Sequence, residues 1–262
     1  LISSRIFMPE KWFTENYKPK REACFVPADV TFMTKPQIAI ELLREVEKSG
    51  YFEAKWIGVD SLYGNNKNFL KAVPKKYLYF ADISNDSKVW ISKPNFSIPE
   101  YSGRGRKTTK EVPSIQSNKV VAVANDESIP WKNVYLGEGS KGSIYSNVKC
   151  VRVFKDFSTE NDTFDLQECW LYIREREDGE IRYSISNAPA DIDKSELHKA
   201  SLMRWPIEQC FLEMKDQLGM DHCEARSWPA WHRHMLMVFI AYEFLLDIRL
   251  LVTDKKKDQS SH

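Results

Sequence analysis

A short apolar run, Ala54-Lys55-Trp56-Ile57-Gly58-Val59, ends on an acid, Asp60, and limits the fold more than any other stretch. Ser61 to Asn66 reads as a turn, Lys67 to Val73 as a short helix, and Lys76 to Asp82 as a second strand. A strand, a helix and another strand at this spacing predict a mixed or partly parallel sheet in an α/β fold. In such sheets ligands gather beyond the carboxyl ends of the strands, and Asp60 stands at one of those ends.

The flanking sequence is read in the same terms. Leu1 to Met8 is predicted as a strand, followed by an irregular charged segment through Pro27. Thr34 is a suitable N-cap for a helix that opens at Lys35-Pro36, buries Ile38, Leu42, Leu43 and Val46, and stops at Gly50. From about Lys93 the pattern breaks at Pro94, Pro99, Gly103, Gly105 and Pro113, and Arg104, Arg106, Lys107 and Lys110 make a basic loop. Ser114–Asn125 is predicted as a helix. Trp131–Leu136, Ser146–Phe154, Glu168–Arg174 and Ile181–Ser186 read as strands rich in β-branched and aromatic residues. Asp193 or Ser195 caps a helix through Met203, and Trp228–Val252 forms a long apolar helix. The expected organisation is a core over 1–92, a β-rich insertion with its own β-structure over 93–165, the returning core over 166–252, and a polar, fraying tail over 253–262.

Between the last two helices, Pro206 opens a segment that runs to Leu218 and stops at Gly219. Glu208 and Lys215 are seven residues apart and share a face, and Arg204 lies just ahead. The ordinary reading is a solvated ion-pair row, which contributes a few tenths of a kcal/mol. A second reading pairs Glu208 with Asp60. Two carboxylates at one sheet end can hold divalent metal for phosphoryl transfer, or act as the acid and base of a glycosidase. The neighbouring cations favour a polyanionic substrate over a neutral sugar.

Composition narrows the classes. A net charge of +1 over 262 residues excludes a global basic field, so any nucleic-acid surface is local. The five cysteines are scattered with no C-x-x-C pair, which suits a reducing cytoplasm and opposes a disulfide framework or cysteine zinc site. His232 and His234 are two apart and match no usual zinc spacing. No signal peptide and no apolar run fit to cross a bilayer is present, so no membrane partner is expected.

Arg204-x3-Glu208-x6-Lys215 resembles the Tyr-x2-Arg-x3-Glu-x6-Lys signature of bacterial insertion-sequence transposases of the DDE superfamily. Val59-Asp60-Ser61-Leu62-Tyr63-Gly64 looks like that family's second-aspartate strand, and Ser3 to Trp12 like its Arg-Leu-Tyr-Leu-Pro-x-x-Trp segment. Ser186-Asn187-Ala188-Pro189-Ala190 and the block from Arg226 to His234 resemble its remaining motifs, in the right order. The resemblance implies a ribonuclease-H-like core, a mixed sheet flanked by helices, with a β-rich insertion before the glutamate helix. It implies Asp60 and Glu208 as catalytic residues and ligands of two Mg²⁺ or Mn²⁺ ions. It further implies phosphate contacts from Arg204 and Lys215, and a DNA surface that includes Tyr63, Trp131, Arg104, Arg106 and Lys107. Trp131 is the candidate for stacking on a base, its ordinary reading being a packed strand tryptophan.

The implied partners are the terminal inverted repeats of an element, target DNA and a second copy of the chain, in a cytoplasmic, nucleoid-associated setting. Two departures from the pattern stand out. Ser201 occupies the signature tyrosine position, and the family's first catalytic aspartate belongs to a strand ahead of Leu1. This chain is therefore expected to be inactive alone. The competing expectations are a non-catalytic DNA-binding remnant or domesticated transposase and, more remotely, an unrelated carboxylate-pair hydrolase.

Overall fold

The computed structural model describes residues 3–101, 103, 105, 107–139, 142–159, 164–176 and 178–260. In chain order, α1 (Lys18–Ala23) and α2 (Lys35–Ser49) precede β1 (Trp56–Val59), α3 (Ser61–Gly64), α4 (Lys67–Ala72) and β2 (Leu78–Ile83). The two-residue strands β3 (Lys88–Val89), β4 (Phe96–Ser97), β5 (Val112–Pro113) and β6 (Asn118–Lys119) follow, then α5 (Val120–Ala124). The strands β7 (Lys132–Gly139), β8 (Gly142–Asp156), β9 (Leu166–Glu175) and β10 (Ile181–Ser186) lead to α6 (Lys194–Ala200), α7 (Arg204–Leu218) and α8 (Trp228–Ser260). The chain forms two compact units, one of Glu47–Arg204 and one of Leu1–Val46 with Trp205–His262.

The unit Glu47–Arg204 is built on a six-stranded mixed sheet in the order β1-β2-β10-β9-β8-β7. Only β1 and β2 run parallel, with Val59 beside Ala81; each later neighbour is antiparallel. The parallel pair is the one that needs a crossover, and the segment holding α3 and α4 supplies it. Side chains alternate across each strand, so Phe80 and Asp82 share one face of β2. On that face Phe80, Trp170 and Tyr172 pack with Leu197 and Ala200 of α6. Phe80 and Tyr172 meet edge to face at 5.2 Å.

Asp193 caps α6 by accepting from the Ser195 amide at 3.0 Å, the first of the two expected caps. The Tyr172 hydroxyl lies 2.9 Å from Nδ1 of His198. Burial raises the tyrosine pKa and lowers that of the histidine, which favours the neutral form of both. Lys149, buried on β8, gives its ammonium to the carbonyls of Ala124 and Asp126 at 2.6 and 2.8 Å, just past the end of α5.

The other unit is mostly helical. Thr34 and Gln37 form a reciprocal cap at the start of α2: the Thr34 amide donates to Oε1 of Gln37 at 2.8 Å, and the Gln37 amide to the Thr34 hydroxyl at 3.4 Å. Arg5 pairs with Glu41 and Glu45 of α2 and fixes the N-terminal segment along that helix. Within the same unit, Arg249 of α8 pairs with Glu213 of α7 at 2.6 Å, and Gln209 donates to Glu213 at 3.0 Å. Gly219, at φ +64°, ends α7 in the left-handed region, as its position predicts.

Several expectations are corrected. Residues 3–8 form no strand, because no neighbouring strand among the described residues of that unit satisfies their backbone, and Arg5 ties them to a helix instead. Leu1 and Ile2 lie outside the described residues. Ser114–Asn125 is helical only over Val120–Ala124, since Asn118 and Lys119 pair with β3. β7 and β8 do not form a separate sheet: β8 pairs with β9 from Val148 opposite Arg174 to Asp156 opposite Leu166. Helix α8 continues through the expected fraying tail to Ser260. Among the described residues, no helix is long and apolar enough to cross a membrane.

Candidate active site

Asp60 leaves β1 at its carboxyl end and caps α3. Its Oδ1 accepts from the amides of Leu62 at 2.9 Å and Tyr63 at 3.4 Å; Oδ2 takes part in neither bond. The carboxylate is therefore oriented by two backbone donors. Tyr63 is half-buried against Phe69, ring centroids 5.2 Å apart, and burial, with the Asp60 charge second, raises its pKa. That packing makes Tyr63 a wall of the Asp60 turn.

A residue overlooked in the sequence completes this end of the sheet. The parallel register sets Val59 beside Ala81, so Asp60 and Asp82, each one residue further on, emerge at the same level. Asp82 uses its two oxygens separately. Oδ1 accepts from the Ser184 hydroxyl at 2.7 Å, and Oδ2 pairs with the Arg204 guanidinium. The Arg204 side chain reaches Asp82 by crossing β1, where a Cβ added at Gly58 would lie 3.8 Å from its Cγ. Asp82 was legible only as the last residue of a strand; pairing β1 and β2 in register was the signal that would have raised it beside Asp60.

Gly64 seals the turn against β2. A Cβ there would lie 1.9 Å from the Asp82 carbonyl oxygen, closer than any side chain can approach. Ser201, at the signature tyrosine position, donates its hydroxyl to the His198 carbonyl at 2.7 Å and lies 3.5 Å from an Arg174 nitrogen. It fastens the end of α6. Burial lowers the pKa of Arg174, which also feels the charge of Asp82.

The remaining candidates are dispersed. Trp131 precedes β7, the edge strand opposite β1, and carries the Lys149 ammonium 5.0 Å from its ring centroid. Lys107 is exposed in the segment between β4 and β5. Arg104 and Arg106 lie outside the described residues. Glu208 and Lys215 are exposed positions of α7. His232 and His234 bond to the Trp228 and Gly219 carbonyls at 2.8 and 3.0 Å, which gives both a structural role.

Two of the sequence motifs at opposite ends of the chain come together within one unit. Ile6, Phe7, Met8, Pro9 and Trp12 line a cavity of about 220 Å³ with Arg226, Ser227, Trp228 and Trp231. In its wall the Trp228 amide donates to the Cys24 carbonyl at 2.8 Å.

A family model described as DDE superfamily endonuclease matches residues 1–143. The matched stretch contains β1, Asp60, Gly64 and Asp82, and ends ahead of α7. Comparison with curated proteins and with solved structures gives no match. With more than half of its length matched, and an acid oriented at the carboxyl end of a parallel strand, the chain belongs to the DDE superfamily endonucleases.

Proposed function

We propose that this endonuclease acts as a DNA transposase, cleaving DNA at the ends of an insertion sequence and joining those ends to a target. The observation that carries the reading is the carboxyl end of β1, where Asp60 is oriented by two amides and Arg204 crosses the same strand toward Asp82. An acid beside a half-buried guanidinium suits a phosphodiester: the acid holds a cation and the guanidinium grips phosphate oxygens.

The residues fit a divalent cation in kind. Asp60 offers hard carboxylate oxygens, one already fixed by hydrogen bonds, as in metal-holding carboxylates. Asp60 and Glu208 are assigned as ligands of Mg²⁺ or Mn²⁺, two ions by the resemblance. Such ions, when bound, supply charge stabilisation and an activated water. Arg204 and Lys215 position the phosphate. Tyr63 shields the turn, and Trp131, Arg104, Arg106 and Lys107 extend the DNA surface. A pair of chains on the two inverted repeats is the implied assembly.

A second reading is a non-catalytic DNA-binding remnant or domesticated transposase. One observation favours it: among the described residues, no three His, Cys, Asp or Glu side chains gather closely enough to hold a metal. The two readings separate when the protein, expressed with whatever coding sequence lies in frame upstream of Leu1, is given duplex DNA and Mg²⁺. Cutting that requires the metal is the expected result. Salt-dependent binding with no cutting at any metal concentration would overturn it in favour of the remnant.

A further inference from the structure

We propose that Asp82 is a positioning residue that holds Arg204 over the carboxyl end of β1 and is exchanged for a DNA phosphate on binding. The inference rests on the reading of Arg204 as a phosphate contact. It goes further, because it gives that arginine an internal counter-ion which sets the protein's affinity for DNA.

The geometry points to exchange. The Asp82 side chain is 18% exposed and that of Arg204 33%, so the pair is accessible at its rim without being fully solvated. A carboxylate and a phosphate present similar oxygen acceptors to a guanidinium, and Arg recognises both in the same manner. When the guanidinium turns to a phosphate, Asp82 is not stranded, because the Ser184 hydroxyl continues to donate to its Oδ1. A buried carboxylate that lost its only partner would strongly oppose the exchange. The retained hydroxyl lowers that penalty, and rim exposure lets water supply the rest. Asp82 also sits on the backbone that Gly64 abuts, so its place is fixed by packing and not by the arginine.

The test is a double-mutant cycle read by binding of a mixed-sequence duplex oligonucleotide to the full chain at several salt concentrations, without metal. Asp82→Asn keeps the acceptor for Ser184 and removes the competing charge. It is expected to tighten binding about threefold to tenfold at low salt with the log–log salt slope close to the parent's, because the parent makes the same phosphate contact once Asp82 is exchanged. In an Arg204→Gln background the same substitution is expected to change nothing.

No tightening in Asp82→Asn overturns the proposal, as does tightening that persists undiminished without Arg204, which would be a general charge effect. If Arg204→Gln alone leaves binding unchanged, the phosphate-contact reading fails first, and that outcome is separate. Thermal unfolding checks that each variant folds. Should Asp82→Asn not fold, Ser184→Ala withdraws the hydroxyl that supports Asp82 once Arg204 has turned away, and it is expected to weaken binding while Arg204 is present. Unchanged or tighter binding in that variant also overturns the proposal.

Discussion

Gly64→Ala is expected to destabilise the unit Glu47–Arg204 by about 2–4 kcal/mol, the range of severe overpacking. The added methyl would meet the Asp82 carbonyl oxygen at 1.9 Å, its carbon at 2.9 Å and the Ala81 Cβ at 3.2 Å. The first two are backbone atoms in a paired strand, so no rotamer change relieves the clash. Either α3 swings away or the end of β2 shifts. The first movement breaks the amide bonds that orient Asp60, and the second displaces the Asp82 carboxylate. Gly50→Ala is the control. Gly50 has a φ of +67° and nothing within 4 Å of its added Cβ, so only left-handed strain of about 1–2 kcal/mol is paid. Denaturant unfolding of the two variants measures the difference. Equal stabilities would show that the turn yields easily and that the close approach to Asp82 does not fix the site.

Asp60→Asn is expected to leave the fold intact and to weaken Mn²⁺ binding at least about a hundredfold, the scale of losses around metal sites. Asparagine caps helices as well as aspartate does, so the bonds from the Leu62 and Tyr63 amides survive. What it loses is the anionic oxygen. Asp60→Ala removes both and is expected to cost about 1 kcal/mol of stability besides, the usual worth of a cap. The pair of variants thus separates two explanations of one side chain. If Asp60→Asn bound Mn²⁺ like the parent while Asp60→Ala lost only stability, Asp60 would be a helix cap and nothing more. Calorimetric titration with Mn²⁺, alongside unfolding curves, decides it.

Local chemistry was legible from the sequence where one element determined it. The Thr34 cap, the Gly219 stop, the span Ile181–Ser186 and the acid at the end of β1 all follow from residues within a few positions of one another. What the sequence did not convey depends on pairing between distant segments. A strand requires a neighbour, so Arg5 to Met8 could not be told from a strand without knowing that Glu41 and Glu45 would claim Arg5. The β7 and β8 segments carried the composition of strands but not the information that β9 would recruit them into the main sheet. The same gap hid Asp82. Its sequence context is an unremarkable strand end, and its importance appears only when β1 and β2 align and Arg204, more than a hundred positions later, meets it. Gly64 is a similar case: the Tyr-Gly of the motif was visible, but the carbonyl oxygen that excludes any side chain belongs to another strand.

The central claim is that a divalent cation is held by carboxylates of this chain, with Glu208 among them. Mn²⁺ titration of Glu208→Ala tests it most directly, because Glu208 lies beyond the residues matched by the family model and rests on its motif alone. The account predicts that the substitution weakens Mn²⁺ binding while the unfolding curve stays within about 0.5 kcal/mol of the parent, as for an exposed helix position. Mn²⁺ binding identical to the parent would contradict it and return Glu208 to an ion-pair row on the exposed face of α7.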